Sequence, residues 1–548
     1  MCGIFAIIGN KQYSKEDFNK IKERGPDDSQ VVQIYDTINT YSNNTTLGFH
    51  RLCINDLSEN GNQPMSYMDD NKCNLICNGE IYNYKQLQKD NEFEMKSTCD
   101  CEIILHMYKK YGIAETVKQL DGVFAFILYD HGMIYIARDI IGVRPLFIGR
   151  NKENIYQPTL LRIGFASEAK CLVNQFTNVE QFKPGHYAIL SENILKYEEY
   201  SFFDWNIKIN SDLVEEQIFK DIYLKLRESV HKRLMSDRPI GCFLSGGLDS
   251  SVVCSIMKKK LNNKITTFAI GMTNSNAPDL KYAQIVADYL NTDHHTVYYT
   301  FEEGFEALDD LIYTLESYDI TTIRASLPQY MLSKYIKENT DITVLLSGEG
   351  PDEHFGGYQY LQLAPNKEEF QKEAIKLTRE LNYFDVLRTD RTTAKHSLEV
   401  RVPFLDKEFV KYSLSIPPEY KESKNRIEKY LIRKAFDTEY PHLPNEILWR
   451  RKNAFSDAVG YQWVDKIKET VDILITDDDF ENSKKKYKHN TPLSKEALYY
   501  RRIFEKHYPN RESFIPHYWM PNNEWTKTEM TDPSALKLTC FKECDENL

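Results

Sequence analysis

The sequence predicts two α/β-type domains: layered antiparallel sheets over roughly the first 200 residues, then an α/β unit built on a parallel sheet. Three observations predict this. A chain of 548 residues exceeds what one core ordinarily holds. The first part reads as many short strands with few helices. Beyond about Tyr200 to Asp212, helices alternate with short strands.

In the first part, Gly122–Asp130 and residues 133–139 are aromatic and β-branched runs flanking Asp130-His131-Gly132, a hairpin signal. Residues 74–77 and 162–166 also read as strands, and residues 16–23 and 101–111 as helices. In the second part, residues 213–233 have amphipathic helical spacing. Strand 240–244, helix 252–261, strand 265–271, helix 281–290, strand 295–300 and strand 343–346 follow. The expected division is 1–203, 212–530 and a poorly ordered tail over 531–548.

Composition excludes several classes. Hydrophobic residues at 41% and charged residues at 27% fit a soluble globular protein. A net charge of -12 argues against nucleic acid as a partner, and the short lysine run 484–486 reads as a solvated face. No apolar run reaches membrane-spanning length, and no targeting signal is evident, so the cytoplasm is the expected compartment. The cysteine pairs Cys73/Cys77, Cys99/Cys101 and Cys540/Cys544 lack the spacing of a zinc or redox motif, so reduced thiols and no zinc are expected.

Cys2 would carry a free α-amine once Met1 is removed, so that one residue supplies a thiol nucleophile and a nearby base. Alone, a cysteine at this position reads more simply as a small buried apolar residue. The motifs after it reverse that reading: Arg24-Gly25-Pro26-Asp27, His50-Arg51-Leu52, Asn78-Gly79-Glu80-Ile81-Tyr82-Asn83 and Asp100-Cys101-Glu102. With them the first 200 or so residues resemble the class II glutamine amidotransferases. The resemblance implies an αββα sandwich of the N-terminal-nucleophile type, with Cys2 attacking glutamine. It implies that Arg51 holds the substrate α-carboxylate and Asp100 its α-ammonium, with Leu52, Ile54, Asn78 and Glu80 also around glutamine. It further implies an oxyanion hole from the Asn78 side chain and the Gly79 N–H. The chemistry agrees: a zwitterion needs one cation and one anion, and amide hydrolysis builds charge on an oxygen that fixed donors must meet.

Ser245-Gly246-Gly247-Leu248-Asp249-Ser250-Ser251 follows a predicted strand and leads into a helix expected to begin near Val252. Such a turn presents N–H groups and a dipole suited to phosphate, and it lacks the Gly-Lys-Ser/Thr of a Walker A loop. It resembles the pyrophosphate loop of ATP pyrophosphatases. A second cluster, Ser347-Gly348-Glu349-Gly350-Pro351-Asp352-Glu353, ends another predicted strand. Asp249 and Asp352 are therefore candidate holders of Mg²⁺ on ATP, and Glu349 a candidate for taking a proton from attacking ammonia. Glu353 reads either as a site residue or as a helix-capping acid.

With Arg401-Val402-Pro403-Phe404-Leu405-Asp406, Trp449-Arg450-Arg451-Lys452, the segment from Tyr318 to Ser326, Arg391-Thr392-Thr393-Ala394 and His517-Tyr518-Trp519-Met520-Pro521, nearly the whole chain resembles the asparagine synthetase family. The resemblance implies ATP contacts from Leu244, Ser245, Gly246, Gly247, Asp249, Ser250, Ile270, Gly271, Ser347, Gly348 and Lys452. It places Thr321, Arg324, Glu349 and Asp352 by aspartate and its adenylate. Glutamine, aspartate and ATP with magnesium are the implied small-molecule partners, with ammonia as an alternative nitrogen donor. No flavin or nicotinamide is implied, and a homodimer is compatible. Val123 and Val143 read either as lining an ammonia passage or as ordinary core. Pro351 stands where the family usually has serine; activity is expected to survive because Asp249, Glu349 and Asp352 are intact. Two other readings are a different amidating or cyclising synthetase on the same scaffold and an inactive nutrient sensor.

Overall fold

The computed structural model describes all residues except 10–12, 36–43, 69, 152–161, 192–193, 201–204, 206, 274–277, 424–425, 440, 452–460, 527–531 and 534–548. Twelve of its strands belong to the N-terminal part: β1 (Gly3–Ile8), β2 (Asp28–Ile34), β3 (Thr45–Arg51), β4 (Met65–Tyr67), β5 (Asp70–Ile81), β6 (Gly122–Asp130), β7 (Met133–Arg138), β8 (Phe147–Arg150), β9 (Ile163–Ala166), β10 (Asn178–Gln181), β11 (His186–Ser191) and β12 (Ile194–Glu199). They form two antiparallel sheets among the described residues, ordered β10-β8-β9-β1-β3-β2 and β12-β11-β7-β6-β5-β4.

Two-residue periodicity builds the layers. Ile4, Ala6 and Ile8 of β1 face Ala125, Ile127 and Tyr129 of β6 across the gap between the sheets. Phe124, Phe126 and Leu128 of β6 point the other way, onto the helix Ile103–Gln119. That helix is interrupted at Gly112, where φ is +74. Phe5 and Ile7 of β1 also point outward. They pack with Phe18 and Ile21 and into a cluster that includes Leu311, Tyr318 and Phe514 of the second domain. The outer layer of this sheet is therefore built partly by the other half of the chain.

The second domain carries a parallel sheet ordered β15-β14-β13-β16-β17, from β13 (Ile240–Phe243), β14 (Thr266–Met272), β15 (Asp293–Tyr299), β16 (Val344–Leu346) and β17 (Glu399–Arg401). Helices cover both faces. On one, Ile218, Ile222, Leu226 and Val230 of the helix Glu215–Lys232 pack with Cys242 and Ala269. On the other, Phe268, Ile270 and Met272 meet the helices Phe301–Leu315 and Ile320–Asn339. The helix after β13 runs over Leu248–Leu261, so it begins four residues before the expected Val252. Gly247 caps it in extended conformation, and the Gly-Leu-Asp sequence continues directly into its first turn.

Val123 and Val143 pack with Val402 and Leu405 across the domain boundary. The void bordering them holds about 20 Å³, room for about one water. Core packing accounts for both valines. No helix among the described residues is long and apolar enough to cross a membrane.

Candidate active sites

The first site lies where β1, β3 and β5 end together. The Cys2 N–H donates to Asn78 Oδ1 at 2.9 Å, and the Leu52 N–H approaches Cys2 Sγ at 3.5 Å. Asn78 is wholly buried, and its amide nitrogen has no hydrogen-bond partner among the described residues. A buried donor left open in this way is costly unless something arrives to accept from it. At Gly79 a side chain is impossible: a Cβ would sit 2.5 Å from the Val123 carbonyl oxygen. With Met1 in place, burial pushes the Cys2 thiol up to about 11, and the nearby α-amine pulls the other way.

Arg51 donates to the Ser58 carbonyl at 2.7 Å, to Asn62 Oδ1 at 2.6 Å and to the Asp56 carbonyl. These acceptors are neutral, so they hold the guanidinium in place without cancelling its charge. Asp100 accepts from the Ile81 N–H at 2.6 Å and from Asn55 at 3.3 Å, yet burial raises its carboxyl to about 6. Glu80 accepts from Asn55 at 2.6 Å and pairs with Arg401 at 3.2 Å. Leu52 and Ile54 pack against Val344 of the second domain. Arg24 donates to the Cys2 carbonyl at 3.0 Å while its guanidinium binds Glu168 and Asp390, at 2.7 and 2.8 Å.

The second site is a cavity of about 250 Å³ at the carboxyl ends of β13, β14 and β16. Switch points of parallel sheets gather ligands in this position. Gly246, at φ +73, turns the chain into the helix Leu248–Leu261, whose first N–H groups have no side-chain cap. The loop is held by its own hydroxyls: Ser245 Oγ and Ser250 Oγ are 3.0 Å apart. Arg450 braces it from outside, donating to the Gly246 carbonyl at 3.2 Å and to Asp279 at 2.7 Å. Asp249 and Asp352 converge on a single cation, the Lys429 ammonium, at 2.5 and 2.7 Å. Glu349 is held by Arg388 in a two-point contact, at 3.1 and 2.9 Å. Burial raises the Glu349 carboxyl, and Arg388 opposes the shift.

Residues 1–203 match a family model described as a glutamine amidotransferase domain, and residues 221–381 and 362–537 match one described as asparagine synthase. The chain is 43% identical to proteins named asparagine synthetase (glutamine-hydrolyzing) from Cricetulus griseus, Gallus gallus and Homo sapiens. Each comparison covers 99% of this chain and 99% of the relative. This chain belongs to the glutamine-hydrolysing asparagine synthetases.

In this synthetase, the cavity collects most of the residues that the sequence nominates. Leu244, Ser245, Gly247, Asp249, Ser250, Ile270, Thr321, Ser347, Gly348, Glu349 and Asp352 all line it. Gly246 shapes the loop without lining the cavity, and Gly271, next to the lining Ile270 in β14, does not line it either. Arg324 is elsewhere: its guanidinium is held by Glu496 at 2.6 and 2.8 Å and by Asp532 at 2.9 Å, two buried carboxylates. Asp532 thus lies inside the fold, although the sequence assigns it to a loose tail. Lys452 and the tail beyond Pro533 lie outside the described residues.

The lining residues that the sequence does not nominate include Arg388, Asp385, Lys429 and Gln329. No local signal marks them, since each is an ordinary residue of a helix or turn. Glu353 is buried at the cavity wall, accepts from the Tyr358 hydroxyl at 2.6 Å and has its carboxyl raised by burial. Pro351 occupies the first position of the helix Pro351–His354. There its missing N–H would have had no intrahelical partner, which is why the proline is tolerated.

Proposed function

We propose that the first site hydrolyses glutamine and that the second uses the released ammonia to convert aspartate to asparagine at the expense of ATP. The observation that carries this is the convergence, in one cavity, of an uncapped helix N-terminus, two carboxylates sharing a cation and a bidentate Glu349–Arg388 pair. These features suit triphosphate, metal and a reacting acyl group.

In the first reaction Cys2 Sγ, freed of Met1, bonds to the glutamine amide carbon. The oxygen draws on the Asn78 amide and the Gly79 N–H, the Cys2 α-amine takes the thiol proton and passes it to the departing nitrogen, and ammonia leaves as the C–N bond breaks. Water then clears the thioester as glutamate. Arg51 and Asp100 hold the two ends of the zwitterion.

In the second reaction an oxygen of the aspartate side-chain carboxylate bonds to the ATP α-phosphorus, and the bond to the pyrophosphate oxygen breaks. The N–H groups at Gly247 to Asp249 receive the phosphates. Ammonia next bonds to the acyl carbon, AMP leaves, and Glu349 accepts the surplus proton, with Arg388 fixing its orientation. Asp249 and Asp352 fit magnesium: both are oxygen donors, and they already share one cation, Lys429. Bound there with the phosphates, the ion would neutralise charge on the leaving pyrophosphate. Thr321, on the cavity wall, is our candidate for contact with the aspartyl group. We place the enzyme in the cytoplasm, with small molecules as its partners.

The test compares asparagine formation from aspartate and Mg-ATP with glutamine and with ammonia as nitrogen source. Release of pyrophosphate with asparagine from both donors supports the reading. Glutamate release with no asparagine from either donor contradicts it.

A further inference from the structure

Cys77, Cys99 and Cys101 have no part in either reaction above, yet they meet beside the glutamine site. Cys77 comes from β5 and the other two from the short turn that carries Asp100. All three are buried, and the thiols of Cys77 and Cys99 each reach that of Cys101. The Cys99 sulfur, the Cys101 sulfur and a carboxylate oxygen of Asp100 lie within 4.8 Å of one another. Cys101 Sγ stands 3.9 Å from Asp100 Oδ2 and 3.6 Å from the Gly79 carbonyl. One turn thus brings two soft sulfur donors and one oxygen together, with the Cys77 thiol of a second element against Cys101, although no pair has the spacing by which such sites are recognised in sequence.

We propose that Cys77, Cys99, Cys101 and Asp100 form a site for a thiophilic d¹⁰ cation, Zn²⁺ or Cd²⁺, and that the bound ion shuts off glutamine use while sparing ammonia. On binding, metal–sulfur bonds replace the S–H bonds and the thiol protons pass to solvent; nothing is oxidised or reduced. Thiolates select against the hard Mg²⁺ that the ATP cavity needs, so one solution can load the two sites differently. The ion acts through Asp100, whose charge it takes from the substrate ammonium. The inhibitory half of the proposal rests on the reading of Asp100 as the ammonium holder.

The experiment uses the full chain with Cd²⁺ as probe and the sulfur-to-cadmium charge-transfer absorption as readout. In a Cys2→Ala background, which removes the nucleophile as a competing ligand, a single Cd²⁺ per chain is expected to give the band. Adding Cys99→Val and Cys101→Ala should abolish it; Cys77→Ala alone, a milder change in another element, should weaken it. With Cys2 intact and Mg²⁺ in excess, Cd²⁺ should raise the glutamine KM roughly ten- to hundredfold, as for loss of a charged hydrogen bond. The ammonia-dependent rate should not change, and the Cys99→Val/Cys101→Ala enzyme should keep its glutamine activity and ignore the metal. A band that disappears with Cys2→Ala alone, or that survives loss of Cys99 and Cys101, overturns the site. A band that follows the cluster with no change in glutamine KM overturns its control of glutamine use. Asp100→Asn without metal tests the underlying reading separately: an unchanged KM there fails the role of Asp100 and leaves the charge-transfer result standing.

Discussion

The proposed role of Asp100 would link glutamine use to pH. Its carboxyl is raised to about 6 by burial, and it must be charged to hold an ammonium. Glutamine kcat/KM should therefore fall about tenfold for each pH unit below about 6, a limb missing from ammonia-dependent synthesis. The effect on stability has the opposite sense. Between about 3.8 and 6 the folded protein keeps a proton that the unfolded chain has lost, so stability declines as pH rises through that window. Above it the cost is full, about 3 kcal/mol. Asp352→Asn should remove one of the two carboxylates that share Lys429 and cut pyrophosphate release by about a hundredfold or more, with glutamine hydrolysis unchanged. A pyrophosphate assay and a glutamate assay on the same preparation check this. Residues in contiguous motifs, such as Asn78-Gly79 or Ser245-Gly246-Gly247, were legible in the sequence because their spacing is itself the chemistry. Arg388 and Lys429 were not: their roles exist only once distant segments meet at one cavity wall.

At the scale of elements, legibility followed periodicity. The hairpin of β6 and β7 and the helix Glu215–Lys232 were readable because each follows its own repeat. Strand β1 is buried on both faces, so its unbroken apolar run carries no alternation to read. Strand β17 has three residues, too few for any pattern. The helix Phe301–Leu315 was overlooked although Thr300 and Glu303 form a capping box, a signal that could have marked its start. The short helix Pro418–Lys421 ends on a lysine whose ammonium, among the described residues, meets two neutral oxygens, Gln371 Oε1 and the Ser413 carbonyl, each at 3.1 Å. Burial lowers it to about 7 from 10.5. Across that window the unfolded chain binds a proton that the folded one lacks, so stability rises with pH, and below about 7 the cost is full. The stability gained by Lys421→Met should be about 2 kcal/mol larger at pH 7 than at pH 9, measured by denaturant unfolding. A gain independent of pH would mean that the lysine stays charged.

The whole molecule behaves as one body with two chemistries. Strand β17 would be an open sheet edge, but the N-terminal domain covers it: Glu399 pairs with Arg144 at 3.3 Å and Arg401 with Glu80 at 3.2 Å. A second ionic seam joins Arg391 to Glu316 at 2.9 Å and to Glu168 at 3.2 Å, and Arg24 to Glu168 and Asp390. Arg391→Ala would leave carboxylates buried without that partner, costing about 3–5 kcal/mol. Calorimetry should show one transition for both domains, moved down by this change; two separated transitions in the unaltered enzyme would contradict the joint. Through the same seam Arg24 fixes the carbonyl of Cys2, so the nucleophile is positioned partly from the other domain. The central claim is that the first site supplies ammonia and the second spends it. Asparagine formation by Cys2→Ala, with glutamine and then with ammonia as donor, tests it most directly. The account predicts complete loss with glutamine and an undiminished rate with ammonia; loss of both, or persistence of the glutamine reaction, would contradict it.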